Sequence, residues 1–139
     1  MGWLLDTNVL SELRKGKRCD AGVAAWSASV PSDDLWTSAL VVGEIRRGIE
    51  SVRRRDAPGA VSLDAWIDDL AVAYAERVLV VSVEIAEEWG RLSVPDPLPI
   101  IDGLLAATAK VHRLTLVTRN VRDVARTGVS CLDPFSRKR

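Results

Sequence analysis

Five short apolar runs constrain this chain more than any other feature: Trp3 to Leu5, Leu35 to Thr37, Val78 to Val81, Leu114 to Val117 and Val129 to Leu132. Each is too short to be a helix, and each is bounded by turn or capping residues, as a strand buried on both faces would be. Between successive runs lie segments patterned for helix. Strands separated in this way cannot be joined by tight hairpins; they need crossover connections, which lay them side by side in one direction. The expected fold class is therefore α/β, with a five-stranded, mostly parallel sheet flanked by helices on both faces.

The connecting segments carry their own signals. Asp6-Thr7-Asn8 suits the cap of a helix through Val9, Leu10 and Leu13, and Ala21 to Ser29 reads as a second helix that stops near Pro31. Ser38 can cap a third, in which Leu40, Val41, Glu44 and Gly48 share helical spacing, so Glu44 stands beside the apolar stripe. Charge, Pro58 and Gly59 make Arg53 to Gly59 a turn. Leu63, Trp66, Ile67, Leu70, Ala71 and Tyr74 then repeat with the period of an amphipathic helix. Ser82 precedes another, with Ile85, Ala86, Trp89 and Leu92 on one face, which Pro95 to Pro99 ends with a stiff connection. Asp102, Leu105, Ala106 and Ala109 mark a further helix, and Asn120 to Ala125 a short last one.

At 139 residues the chain suits one domain, expected over 1–139 with a core of about 2–135 and a short basic tail at 136–139. No apolar run approaches the roughly 20 residues of a membrane helix, and the N-terminus lacks a signal-peptide pattern, so no membrane partner and a cytoplasmic location are expected. Cys19 and Cys131 have no metal-ligand spacing and read as reduced thiols without chemistry. Nineteen basic and nineteen acidic side chains cancel, so net charge does not announce a nucleic-acid binder. Arg46, Arg47, Arg53, Arg54 and Arg55 nevertheless crowd one stretch, read first as a solvated helix face that leaves a local basic surface possible.

Four carboxylates fall where this fold would deliver them to the carboxyl ends of the strands. Asp6 ends the first run, Glu44 lies in an apolar helix, Asp102 opens another, and Asp123 follows the fourth run closely. Acids in apolar company need a partner. At about 4 Å and an effective dielectric of about 20, each like-charge pair repels by about 4 kcal/mol. A converging set needs protons, basic partners or a hard divalent cation, and oxygen donors suit Mg²⁺ or Mn²⁺ best. His112, the only histidine, stands at the end of a helix away from the acids.

Four segments, taken in order, resemble the PIN domain, specifically the VapC toxin group and its FitB-like branch in type II toxin-antitoxin systems. They are Leu4 to Leu13 around Asp6-Thr7-Asn8, Val41 to Gly48 around Glu44, Ile101 to Ala109 around Asp102, and Leu116 to Asp123 with Thr118-Arg119-Asn120. The resemblance implies a Mg²⁺- or Mn²⁺-dependent endoribonuclease, with Arg46 and Arg47 as candidate RNA contacts. Asp6, Glu44, Asp102 and Asp123 would be its catalytic and metal-holding acids, Thr7, Asn8, Thr118 and Asn120 a supporting polar shell, and its products would end in 5′-phosphate and 3′-hydroxyl. It also implies a homodimer, a VapB-like antitoxin that inhibits the enzyme in a larger hetero-oligomer, and contact with operator DNA only through that antitoxin. Leu132-Asp133-Pro134-Phe135 departs from the usual Asn-Pro ending, which bears on the closing turn. The alternatives are a non-catalytic interaction module on the same fold and another metal-dependent phosphohydrolase. Against the latter, no second acid stands two residues after Asp6.

Overall fold

In the computed structural model, which describes residues 2–136, the five strands form one sheet in the order β3-β2-β1-β4-β5. They are β1 (Trp3–Leu5), β2 (Leu35–Ser38), β3 (Val78–Leu79), β4 (Thr115–Val117) and β5 (Cys131–Leu132). All four pairings are parallel, so the sheet is wholly rather than mostly parallel. The helices between them are α1 (Thr7–Leu13), α2 (Ala21–Ser29), α3 (Ala39–Arg53), α4 (Ala57–Ala73), α5 (Val83–Leu92), α6 (Ile100–His112) and α7 (Val121–Val124). Right-handed crossovers to β2 and β3 lead the chain one way across the sheet; those to β4 and β5 lead it back the other way. This puts α1 to α4 on one face and α5 to α7 on the other. The helix packing divides in the same way, α3 against α4 and α1 on one side, α5 and α7 against α6 on the other.

The central strands explain their own composition. Leu4, Leu5, Leu116 and Val117 are covered from both faces and are essentially solvent-free, which is why they read as unbroken apolar runs. The core continues through Val9, Val41, Leu105, Ala106 and Ala109, with Trp3 and Trp26 meeting edge to face at 5.6 Å over its margin. Helix α6 is buried over the whole stretch Leu105–Ala109, not along one face alone.

Some boundaries differ from the sequence reading. β3 ends at Leu79 instead of Val81, because it lies at the sheet edge and its pairing to β2 stops there; Val80 is 69% exposed. β4 begins at Thr115, because Arg113 takes a left-handed conformation to end α6 and Leu114 donates its N–H back to Ala109. β5 is confined to the two residues paired with Leu116 and Val117. The turn after α3 is shorter than expected, since Asp56 caps α4 through the Gly59 N–H at 3.0 Å and Pro58 and Gly59 lie in its first turn. Proline is harmless there, where the N–H has no intrahelical partner. Of the expected tail at 136–139, only Ser136 is among the described residues. Ser136 donates to the Asp20 carboxylate at the start of α2, and that contact holds the Asp20 carboxyl at about 2. Residues 137–139 lie outside the described residues.

Candidate functional site

The strand order reverses direction at β1, whose neighbours are β2 and β4. Parallel α/β sheets open a crevice at the carboxyl ends of the strands on either side of such a switch. Asp6 stands there because it continues the β1 ladder by one residue, donating its N–H to Val117 O at 3.0 Å, and then caps α1 by accepting the Thr7 N–H at 2.7 Å. Thr118 stands beside it for the matching reason: Leu5 pairs with Val117, and Thr118 donates its N–H to Leu132 O at 2.9 Å. Register alone therefore sets these two side chains next to one another.

Their contact is a built one. Thr118 Oγ1 accepts the Asn120 N–H at 3.0 Å and the Asn8 side-chain amide at 3.4 Å. With its lone pairs so engaged, the single hydroxyl proton is directed to Asp6 Oδ2, 2.8 Å away. Asn8 closes the circuit by accepting the Arg119 N–H at 3.1 Å. Asp6 is only 5% exposed and Thr118 1%, so this network is shielded from water. Thr7 turns the other way and donates its hydroxyl to Glu44 Oε1 at 2.9 Å, tying α1 to α3.

Asp102 lies in the first turn of α6, whose N-cap is Pro99 without a side-chain cap, so its charge complements the helix dipole. The turn can approach α5 closely because residue 103 is glycine: a Cβ there would stand 3.1 Å from the Trp89 ring. Burial pushes the Asp102 carboxyl above its ordinary value, and the negative charges of Asp6, Asp123 and Glu44 push it the same way. Asp102 thus feels all three of the other acids. Asp123 is exposed on α7, its N–H donating to Asn120 O at 3.0 Å. The four carboxylates share an edge and a field but not a tight cluster: among the described residues no three His, Cys, Asp or Glu side chains are grouped so as to hold a metal ion.

The arginines divide differently from their crowding in sequence. Arg46 donates to Asp64 at 2.8 Å and Glu50 at 3.2 Å, and Arg53 to Asp64 at 2.7 Å and Glu50 at 3.1 Å. They bind α3 to α4. Arg47 is exposed beside Glu44 along a depression of about 310 Å³ that Ile101 also lines. His112 faces a separate depression with Gly2, Asp33 and Trp36, at the amino ends of the strands. Both thiols are half-buried and free, and burial pushes them up. Sequence reasoning missed Arg119, whose guanidinium lies over the Phe135 ring with Cζ 3.9 Å from the centroid. Its place between Thr118 and Asn120 was the available signal. It also missed Glu88, buried on α5 and bridging to Lys110 of α6 at 2.9 Å.

The chain is 27% identical over 137 residues to Toxin FitB of Neisseria gonorrhoeae, covering 95% of this chain and 97% of that protein. It is 28% identical over 140 residues to VapC ribonuclease Y4jK of Sinorhizobium fredii, covering 95% and 96%. The solved structure of FitAB bound to an IR36 DNA fragment superimposes with a TM-score of 0.85 at 26% identity, covering 99% of this chain and 98% of that one. Residues 3–129, which include all four acids and the Thr118 network, match the PIN domain, and the chain belongs to that family.

Proposed function

We propose that this protein is the toxin of a type II toxin-antitoxin pair, an endoribonuclease that hydrolyses RNA phosphodiester bonds with Mg²⁺ or Mn²⁺ and is inhibited by a VapB-like antitoxin. The observation that carries this reading is the placement of four acids at the switch point of a PIN-family sheet, where burial first, and then the charges of Asp6, Asp123 and Glu44, disfavour Asp102 as an anion. Four such acids have no cationic side chain among them in the ion pairs of the described residues. An all-oxygen donor set of this charge suits a hard divalent cation. Asp6, Glu44, Asp102 and Asp123 would hold it, with Thr7, Asn8, Thr118 and Asn120 supporting them. When bound, such an ion lowers the pKa of a coordinated water and offsets charge developing on the phosphate.

The protein's own residues supply orientation. Thr118 and the Thr7 N–H occupy one lone pair on each Asp6 oxygen, which fixes the carboxylate plane and leaves a second lone pair on each oxygen. Thr7 does the same for one oxygen of Glu44. The names of the relatives support a toxin with ribonuclease activity, and the solved FitAB assembly on DNA supports a partner chain. In this reading the chain forms a homodimer, enters a larger hetero-oligomer with the antitoxin, touches operator DNA only through it, and acts in the cytoplasm as one PIN domain. No helix of the described residues is long and apolar enough to cross a membrane.

Purified chain incubated with structured RNA and Mn²⁺ tests the reading. Cleavage should cease on chelation and fall at least about 100-fold in Asp6→Asn and Asp102→Asn, the scale expected when a group stabilising transition-state charge is lost. Undiminished cleavage in both variants would refute it.

A further inference from the structure

We propose that Arg119 binds an RNA phosphate and guides the substrate backbone onto the acidic edge, a role that rests on the ribonuclease reading above. A polyanion approaching four carboxylates is repelled unless a cation stands at the rim, and Arg46 is already held by Asp64 and Glu50. Arg119 is differently placed. It follows Thr118 directly, so its backbone is one residue from the hydroxyl that touches Asp6, and its N–H is pinned by Asn8 Oδ1 at 3.1 Å.

The side chain is pre-oriented. Asp133 accepts the Phe135 N–H at 2.9 Å, turning the segment after β5 so that the Phe135 ring lies beneath the guanidinium. Stacking occupies the face of the guanidinium and leaves the N–H groups at its edge available to phosphate oxygens. The residue is exposed, and none of the ion pairs among the described residues uses it. A stacked guanidinium without an ion-pair partner among the described residues, on the residue that follows Thr118, is suited to bidentate phosphate recognition. The closing segment Asp133-Pro134-Phe135 thus supplies both the turn and the ring.

Titrating fluorescent single-stranded RNA into the non-cleaving Asp6→Asn protein at several salt concentrations tests the assignment. Arg119→Gln should weaken binding roughly three- to tenfold and make the salt dependence shallower by about 0.7, the contribution of one phosphate contact to a single strand. Phe135→Leu keeps the charge, so it should weaken binding a few-fold with the slope unchanged. Arg18→Gln, the same charge change beyond the far end of α1, should alter neither. With Asp6 restored, Arg119→Gln should raise KM and leave kcat in place. Equal affinity and slope in Arg119→Gln overturn the proposal, as does a loss confined to binding of the antitoxin, which would make an acidic protein the partner. A wild-type chain that neither binds nor cleaves RNA overturns the ribonuclease reading as well.

Discussion

Replacing Thr118 by Val removes one oxygen from the most enclosed part of the candidate site. The hydroxyl donates to Asp6 Oδ2 at 2.8 Å in a place where Thr118 is 1% and Asp6 5% exposed, so water cannot readily take its position. A hydrogen bond to a charged group contributes about 1.5–3 kcal/mol, and leaving its buried acceptor unsatisfied lies at the upper end of that range. The other two bonds add little, since Asn120 is exposed and the Asn8 contact is long at 3.4 Å. The expected loss is about 3 kcal/mol. With an unfolding entropy of about 2.1 cal/mol/K per residue, this lowers Tm by about 10 °C. Thr118→Ser retains the hydroxyl and loses one methyl, about 1 kcal/mol. Urea denaturation and thermal melts of the three proteins in chelator measure the order. A Val variant that loses less than about 1 kcal/mol, or a Ser variant that falls as far as the Val one, refutes the role given to this hydroxyl.

Two further perturbations probe the surroundings. Because the Asp102 carboxyl is raised in the fold, its contribution to stability is present below the ordinary carboxylate value of 3.8 and is lost as pH rises through the raised one. Without divalent cation, Asp102→Asn should therefore raise the urea midpoint at pH 7, with the gain vanishing as the pH is lowered past that value; an equal gain at every pH would contradict the electrostatic origin. Gly22→Ala should detach the closing segment, since a Cβ there would stand 2.4 Å from Pro134 O and 2.6 Å from Ser136 N, backbone atoms that must move. Overpacking of this kind costs about 1–3 kcal/mol, and faster hydrogen exchange over 133–136 is the signature to measure.

Much of the site was legible because its parts are set by near neighbours in the chain. Asp6 reads as a cap from the three residues after it, and the structure makes it one. Ser38 and Ser82 accept from Leu40 and Ile85 as their helices require. Asn120 was read within the last short helix, and it stands at its N-cap. The chain ends of elements were less legible where the sheet decides them: Val80 and Val81 have strand composition but no partner to pair with.

Alternation of short apolar runs with helical periods determined the α/β class and delivered Asp6 to a strand end, Asp102 and Asp123 to the first turns of helices and Glu44 to the margin of a helix's apolar stripe, since all of these follow from spacing along the chain. The tertiary structure alone decided that β1 is flanked by β2 and β4, that Thr118 points its proton at Asp6, and that Arg46 is consumed by an ion-pair network while Arg119 rests on Phe135. The physical reason is distance along the chain. Period and capping act over three or four residues, whereas strand order, register and the choice of a charge's partner depend on groups up to about a hundred residues apart that meet only when the crossovers close.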